Sequence, residues 1–400
     1  MTWARKQKSL GTTRIQAHPN SSAGVIGRKP SGSTITFSRL ELFGASARCS
    51  HLYLINPAIV SPESQMIAKL IEPHVDDINN DFAVLASTDF LKDFVKSYFV
   101  GTVAAGLAYL AMTDNGYVWS DHFERVRSQQ TRIKKPDFVF SGATTGVALM
   151  EAKGSRSGSA GAFNTTVSDG YTDQVEPHLG SSILGATATH GYCIGAWLQS
   201  PNMAELFIHH TDVPAVTQAP RGGTASNLAN IQRYNFATAF TLAHGPTLGE
   251  ALRAREDRYR VIPFLRFDWL GKRWVTGLGL DFLDPFFRED WWQRGSLDWW
   301  LREPISPNEL PRALSERVFA IEETRARIAL LRFLGSNEVG AMETPELVPM
   351  EDSLRHTARR GEDGGEQGAI FPDGLALVEL LAFQTRLERV LWDTHRSDFR

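Results

Sequence analysis

Cysteine is scarce: Cys49 and Cys193 are the only two in 400 residues. That excludes a disulfide framework and a thiolate metal cluster, and suits a reducing compartment, so the expected location is the cytoplasm. Long apolar runs are also missing. The longest, FVGTVAAGLAYLAM from Phe99 to Met112, holds two glycines. It is shorter than the ~20 residues that span a bilayer, so it reads as a buried helix and no membrane contact is expected. MTWARKQKSL at the start is not followed by an apolar segment, so no secretory signal is expected. No internal repeat occurs. Gly277-Leu278-Gly279 lacks the third glycine of a dinucleotide-binding fingerprint.

What is present is a chain long enough for two domains. Its net charge is −3, but the charge is unevenly spread. Residues 1–50 carry Arg5, Lys6, Lys8, Arg14, Arg28, Lys29, Arg39 and Arg48 against Glu41 alone, a balance of +7 that leaves −10 on the rest. A basic arm on an acidic body suits a polyanion partner, and it equally suits a solvated tail.

Residues 1–33, rich in Ser, Gly, Pro and basic side chains, read as flexible. TITFSRLELF and SHLYLINPAIV read as short strands. Ser61-Pro62 reads as a helix start, with the helix running to about Asp77. A second helix is expected from near Thr88 to the turn signal Asn115-Gly116. Strand-like HFERV, RIKKPDFVF and GVALMEAK follow, then a loop, GSRSGSAGAFNTT. A helix is expected around DGYTDQVEPHL, disturbed by Pro177, and then strands HGYCIGAWLQ and AELFIHH. The order helix, three strands, helix, two strands predicts an α/β domain with a compact mixed sheet flanked by helices.

Beyond a boundary near Ala215, NIQRYNFATAFTLAHG reads as helix and YRVIPFLRFDWLGKRWVTGLGL as a hairpin turning at Gly271-Lys272. The apolar repeat Leu314, Val318, Ile321, Ile328 and Leu331 predicts a helix ending at Gly335. LALVELLAFQTRLERVLW predicts a last amphipathic helix. The expected layout is a basic arm with short strands and a helix over 1–87, a core over 88–215, and a mainly helical region over 216–400 that binds substrate or a partner.

Chemistry concentrates in KKPDFVFSGATTGVALMEAKGS, from Lys134 to Ser155. It reads as a hairpin whose arms carry Asp137 on one side and Glu151 and Lys153 on the other. Glu151 and Lys153 share a strand face because side chains alternate. Asp137 joins that face only in an antiparallel register whose opposed residue numbers sum to 288, which also sets Val139 opposite Leu149. Two such carboxylates favour a hard divalent cation, and an ammonium beside them can hold water or stabilise charge on a phosphate. An ordinary Glu–Lys pair on a solvated strand is the plain alternative, and it predicts Asp137 pointing away from Glu151.

PD, a hairpin, then E-A-K resembles the PD-(D/E)xK nuclease superfamily, which has the restriction-endonuclease-like fold. The resemblance covers residues 88–212. It implies a metal-dependent phosphodiester hydrolase that uses Mg²⁺, with Mn²⁺ able to substitute. It implies metal ligands Asp137, Glu151 and the Ala152 carbonyl, Lys153 as catalytic lysine, and Gln174 on the next helix positioning water or phosphate. His178 stands where a Q-x-x-x-Y pattern would need tyrosine. A further acidic ligand is commonly added from the first helix; Asp89, Asp93 and Glu124 compete for that place. Lys134, Lys135 and Arg156, with Arg125, Arg127 and Arg132 nearby, suit phosphate contacts.

The implied function is an endonuclease acting on DNA rather than RNA, in restriction or anti-phage defence. A homo-oligomer or a partner protein is compatible with it. The alternative is an inactive nuclease-like fold that binds nucleic acid or protein. Trp291-Trp292 and Trp299-Trp300 read as core or interface anchors. His209-His210 face opposite ways on a strand and cannot share one ion.

Overall fold

The computed structural model describes residues 3, 7–19, 27–30, 32–50, 66–125, 133–143, 146–156, 158–199, 203–213, 225–255, 261–277, 317–334, 345–360, 367–379, 387–394 and 396–400. SHLYLINPAIV after its first residue, Ser61-Pro62, both tryptophan pairs, Arg127, Arg132 and Gly335 lie outside them. The chain is α/β and forms two compact units, Met1–Leu52 with Met66–Gln232, and Tyr53–Gln65 with Arg233–Arg400.

The first unit is built on a mixed sheet. Helix α1 (Arg39–Ser50) follows strands β1 (Lys8–Leu10), β2 (Thr12–His18) and β3 (Ile35–Phe37). Helix α2 (Asp93–Asp114) leads to β4 (Trp119–His122), β5 (Phe138–Ser141) and β6 (Val147–Ser155). Helix α3 (Ala160–Gly170) then connects to β7 (Ser182–Ile183), β8 (Ala186–Gln199) and β9 (Met203–Thr211). The strand order is β2-β9-β8-β6-β5-β4, with β7 paired to β8. Strands β4, β5 and β6 form an antiparallel meander; β8 then runs parallel to β6. Parallel neighbours need a crossover long enough to hold a helix, and α3 supplies it.

Helices α2 and α3 cover opposite faces of the sheet. A Cβ on Gly154 of β6 would meet Ala104 Cβ and Val100 O of α2, each at 2.8 Å. On β8, a Cβ on Gly195 would collide with Val167 and Phe163 of α3, and one on Gly191 with Val175 just beyond it. Glycine here buys close helix–sheet approach. Gly195→Val is therefore expected to cost about 3 kcal/mol, the upper end of overpacking. Urea denaturation should show a lower midpoint at unchanged slope.

Helix α2 is long and apolar enough to cross a bilayer by length and composition. In the fold, its residues from Phe99 to Thr113 are mostly buried against α1 and the sheet. It stops where expected, at Asp114, with Gly116 at φ +86° turning the chain.

Several expectations are corrected. Residues 8–18 are not a flexible arm: β2 adds to the sheet as an edge strand parallel to β9. His18 hydrogen-bonds His209 at 2.8 Å and stacks on Tyr171, contacts that composition does not reveal. Within TITFSRLELF only Ile35–Phe37 is strand, and Arg39–Ser50 is helix, with Ser38 and Glu41 bonded reciprocally as a capping box. HFERV leaves the strand at His122 and turns as a 3₁₀ segment, Phe123–Arg125. The small-residue loop after β6 is brief. Ser159 caps α3 by accepting from Ala162 N at 3.2 Å, and the helix begins at Ala160.

Among its described residues the second unit carries a seven-stranded sheet beside its helices, which the expected layout did not include. Helix α4 (Ala225–Ala243), which belongs to this unit from Arg233 onward, and α5 (Pro246–Ala254) precede β10 (Val261–Trp269) and β11 (Lys272–Thr276). Then come β12 (Val318–Glu322), α6 (Glu323–Leu334), α7 (Asp352–Arg360), β13 (Gly368–Ile370), β14 (Leu375–Val378), β15 (Glu388–Asp393) and β16 (Asp398–Phe399). The strands form one antiparallel sheet, β13-β14-β12-β11-β10-β15-β16. The hairpin turns one residue earlier than expected, at Leu270-Gly271, both with positive φ as a two-residue type I′ turn requires. Val318–Glu322 is strand, not helix, because all five residues are buried between β11 and β14. Where the expected last helix is described it is strand: β14 and β15 pair with β12 and β10. Apolar spacing in these short segments fits both periods, and cross-strand partners decided the outcome.

Candidate active site

The hairpin adopts the register that joins its charged residues. Val139 lies opposite Leu149 and Phe138 opposite Met150. One step beyond the ladder, each carboxylate ties down the other arm. Asp137 N donates to Glu151 Oε2 at 3.1 Å, and Ala152 N donates to Asp137 Oδ2 at 2.9 Å. Asp137 therefore does not point away from Glu151, which removes the reading of an ordinary solvated strand. The apolar halves, Phe138–Phe140 and Val147–Met150, are buried and anchor the arms.

Lys153 lies on the same face as Glu151. Its ammonium donates to Glu151 Oε1 and, at 2.8 Å, to Gln174 Oε1. Gln174 sits on a π-helical turn, Tyr171–Val175, that continues α3. Its amide donates to Lys135 O at 3.2 Å, so it braces the lysine against the incoming arm of the hairpin. Such π turns are frequent at functional sites because they re-aim side chains from a helix. Gly170 just before the turn makes room: a Cβ there would sit 2.9 Å from Lys153 Cε and 2.8 Å from Cys193 Sγ. Sequence reasoning missed this glycine, whose only signal is its place four residues before Gln174.

Burial, then the neighbouring Asp137 charge, pushes the Glu151 carboxyl up to about 8 against the pull of Lys153 and Gln174. Asp137 is raised as well, mainly by burial, and its backbone N–H donates to the Glu151 carboxylate. Burial and mutual repulsion both oppose full ionisation of such a pair. Burial acts to lower Lys153, but the hydrogen bond and charge of Glu151 outweigh it and its pKa rises, so the lysine stays charged.

The donor set fits a hard cation. It offers two carboxylates that repel one another unless a proton or cation lies between them. The N–H and C=O of one strand residue point to the same side. Since Ala152 N–H faces Asp137, the Ala152 carbonyl is aimed there too. Among the described residues no group of three or more His, Cys, Asp or Glu side chains is arranged to hold a metal. The oxygens that could hold a divalent cation are those of Asp137 and Glu151 and the Ala152 carbonyl.

Of the three competing acids, Glu124 is the one whose charge acts on Asp137; the neighbouring Phe123 N donates to Asp137 O at 2.8 Å. Asp89 instead pairs with Arg156 at 2.9 Å and Lys96 at 3.5 Å, and Asp93 sits exposed in the first turn of α2. The basic residues divide similarly. Lys134 is exposed and pairs with Asp173 at 2.9 Å on the π turn, while half-buried Lys135 offers its carbonyl to Gln174. Arg156 departs from the expected phosphate contact. Its guanidinium is buried and bonded to Asp89, Leu85 O and Leu198 O, so it holds the end of β6 in place.

His209 and His210 do not share an ion: His209 bonds His18 and Asn164, and His210 donates to Thr211 O. His178 bonds Lys134 O at 2.9 Å, a second brace on the hairpin.

No family model, curated protein or solved structure matches the chain.

Proposed function

We propose that the protein is a divalent-metal-dependent nuclease of the PD-(D/E)xK type, with a restriction-endonuclease-like core in its first unit. The observation that carries this reading is the register that brings Asp137 and Glu151 into hydrogen-bond contact beside Lys153 and Gln174. Support also comes from topology: a helix, an antiparallel meander, a crossover helix and a parallel strand surround the site.

A cation held by Asp137, Glu151 and the Ala152 carbonyl would supply Lewis acidity and an oriented water. The chain's own groups do the rest. Lys153, charged and aimed by Gln174, stabilises negative charge developing on a phosphoryl oxygen or holds the attacking water. Gln174 fixes the lysine's position, and Lys134 and Lys135 offer charge for a phosphate backbone. DNA is the proposed substrate, Mg²⁺ the cofactor with Mn²⁺ able to substitute, and the cytoplasm the location, in restriction or anti-phage defence.

The test is a cleavage panel. Purified protein with Mg²⁺ or Mn²⁺ is offered supercoiled and linear duplex DNA, single-stranded DNA and RNA. Metal-dependent cutting of DNA is expected. If no substrate is cut with either metal, while binding to nucleic acid persists, the inactive binding fold takes its place.

A further inference from the structure

The end of edge strand β2 is tied to the turn that carries Gln174. His18 stacks on Tyr171, with ring centroids 4.3 Å apart and planes at 18°. Its Nε2 bonds His209 Nδ1 of β9 at 2.8 Å, and His209 Nε2 bonds Asn164 Oδ1 of α3 at 3.2 Å. The Asn164 oxygen only accepts, so His209 carries its proton on Nε2, and Nδ1 accepts from His18. The hydroxyls of Tyr171 and Thr211 share a hydrogen bond of 2.7 Å. Asn164 and Tyr171 are seven residues apart, so they present one helix face to the ends of β2 and β9.

Tyr171 is the residue on which the π turn closes: Glu176 N donates to Tyr171 O, five residues back. Gln174 lies within that turn, with its side chain on Lys153 Nζ and Lys135 O. A π turn is a departure from the regular helix, so its shape depends on what holds its ends. At the far end, Val175 packs where Gly191 leaves room for it. At the near end, Tyr171 is fully buried and held by the His18 ring and the Thr211 hydroxyl.

We propose that His18 is a positioning residue for the active site: its ring clamps Tyr171, Tyr171 fixes the π turn, and the turn aims Gln174 at Lys153. The kinetic consequence rests on the nuclease reading. The chain of contacts gives β2, far from the hairpin in sequence, a part in setting the geometry around Lys153.

Single-turnover cleavage by the full-length protein tests it, beside ¹⁵N NMR of the Gln174 side-chain amide. His18→Ala should slow the step about tenfold with substrate Kd little changed, less than the ~10²-fold that a 1 Å misplacement can cost. His18→Phe keeps the stack and loses the hydrogen bond, and should recover to within about twofold of the wild type. Added to Gln174→Ala, His18→Ala should cost nothing further, because both act through one side chain. The Gln174 amide protons should exchange with solvent about tenfold faster in His18→Ala, and at close to the wild-type rate in His18→Phe. Additive losses in the double variant overturn the proposal, as does a His18→Phe variant as slow as His18→Ala. So do Gln174 amide protons that exchange at the wild-type rate in His18→Ala. The NMR arm needs no cleavage, so it decides the positioning role even if the wild type cuts nothing, a result that would overturn the nuclease reading instead.

Discussion

Lys153→Ala is expected to lower phosphodiester cleavage by about 10²–10³-fold, the usual cost of removing one preorganised charge donor. The fold should survive. Lys153 is half-buried at the end of β6, and the register is fixed by the apolar pairs Val139–Leu149 and Phe138–Met150, which the substitution leaves alone. Divalent-metal binding should survive too, since Asp137, Glu151 and the Ala152 carbonyl remain. That combination separates a catalytic role from a structural one: single-turnover rates fall while the metal's effect on thermal stability persists. Gln174→Ala should behave as a milder version, because it frees the lysine rather than removing it. Equal cutting by Lys153→Ala and the wild type, on any substrate, would exclude the proposed mechanism.

The second expectation concerns pH. The Glu151 carboxyl moves from an ordinary 4.5 in the unfolded chain to about 8 in the metal-free fold. Between those values the folded state holds a proton that the unfolded state has released. For this group, stability is therefore fully present below about pH 4.5 and is lost as pH rises toward 8. A divalent cation held by Asp137 and Glu151 would take the proton's place, so its binding would release protons and strengthen as pH rises. Mg²⁺ should barely shift Tm near pH 5.5 and raise it by roughly 5–10 °C near pH 8.5, given saturation near a hundredfold over Kd.

Asp137→Asn should abolish that increment, and should make the metal-free protein more stable at high pH by removing the repulsion. The comparison must be made with and without metal at each pH. His18, His190, His209, His210 and His244 are all lowered, chiefly by burial, and they titrate with the opposite sign: their contribution is present above 6.5 and lost on acidification. A metal-induced Tm shift that is flat with pH, or that survives in Asp137→Asn, would rule out the carboxylate site.

Much of the site was legible in one dimension because strand geometry is strict. Alternation puts Glu151 and Lys153 on one face, and only one parity of register brings Asp137 to it. The order of elements from α2 to β9 was equally readable, since the long buried helix and the strands that follow differ in period and length. Gln174 was reachable through its place after β6, although not the π turn that aims it.

Other features were decided only by packing. Arg156 resembles a phosphate-binding residue in sequence, yet Asp89, 67 residues away, buries it as a brace. That the charge of Glu124, rather than that of Asp89 or Asp93, acts on Asp137 goes with the backbone bond between Phe123 and Asp137, which no spacing rule encodes. The basic N-terminal segment looked unstructured because its few apolar residues cannot form a core alone; a parallel ladder with β9 supplies what it lacks. In the second unit, short apolar stretches such as VFAIE and LALV were compatible with helix and strand alike. Sequence by itself determined which residues share the charged face of the hairpin, because that depends on covalent alternation. Tertiary structure alone decided which neighbours buried that face and raised its carboxyls, because desolvation depends on what packs over it.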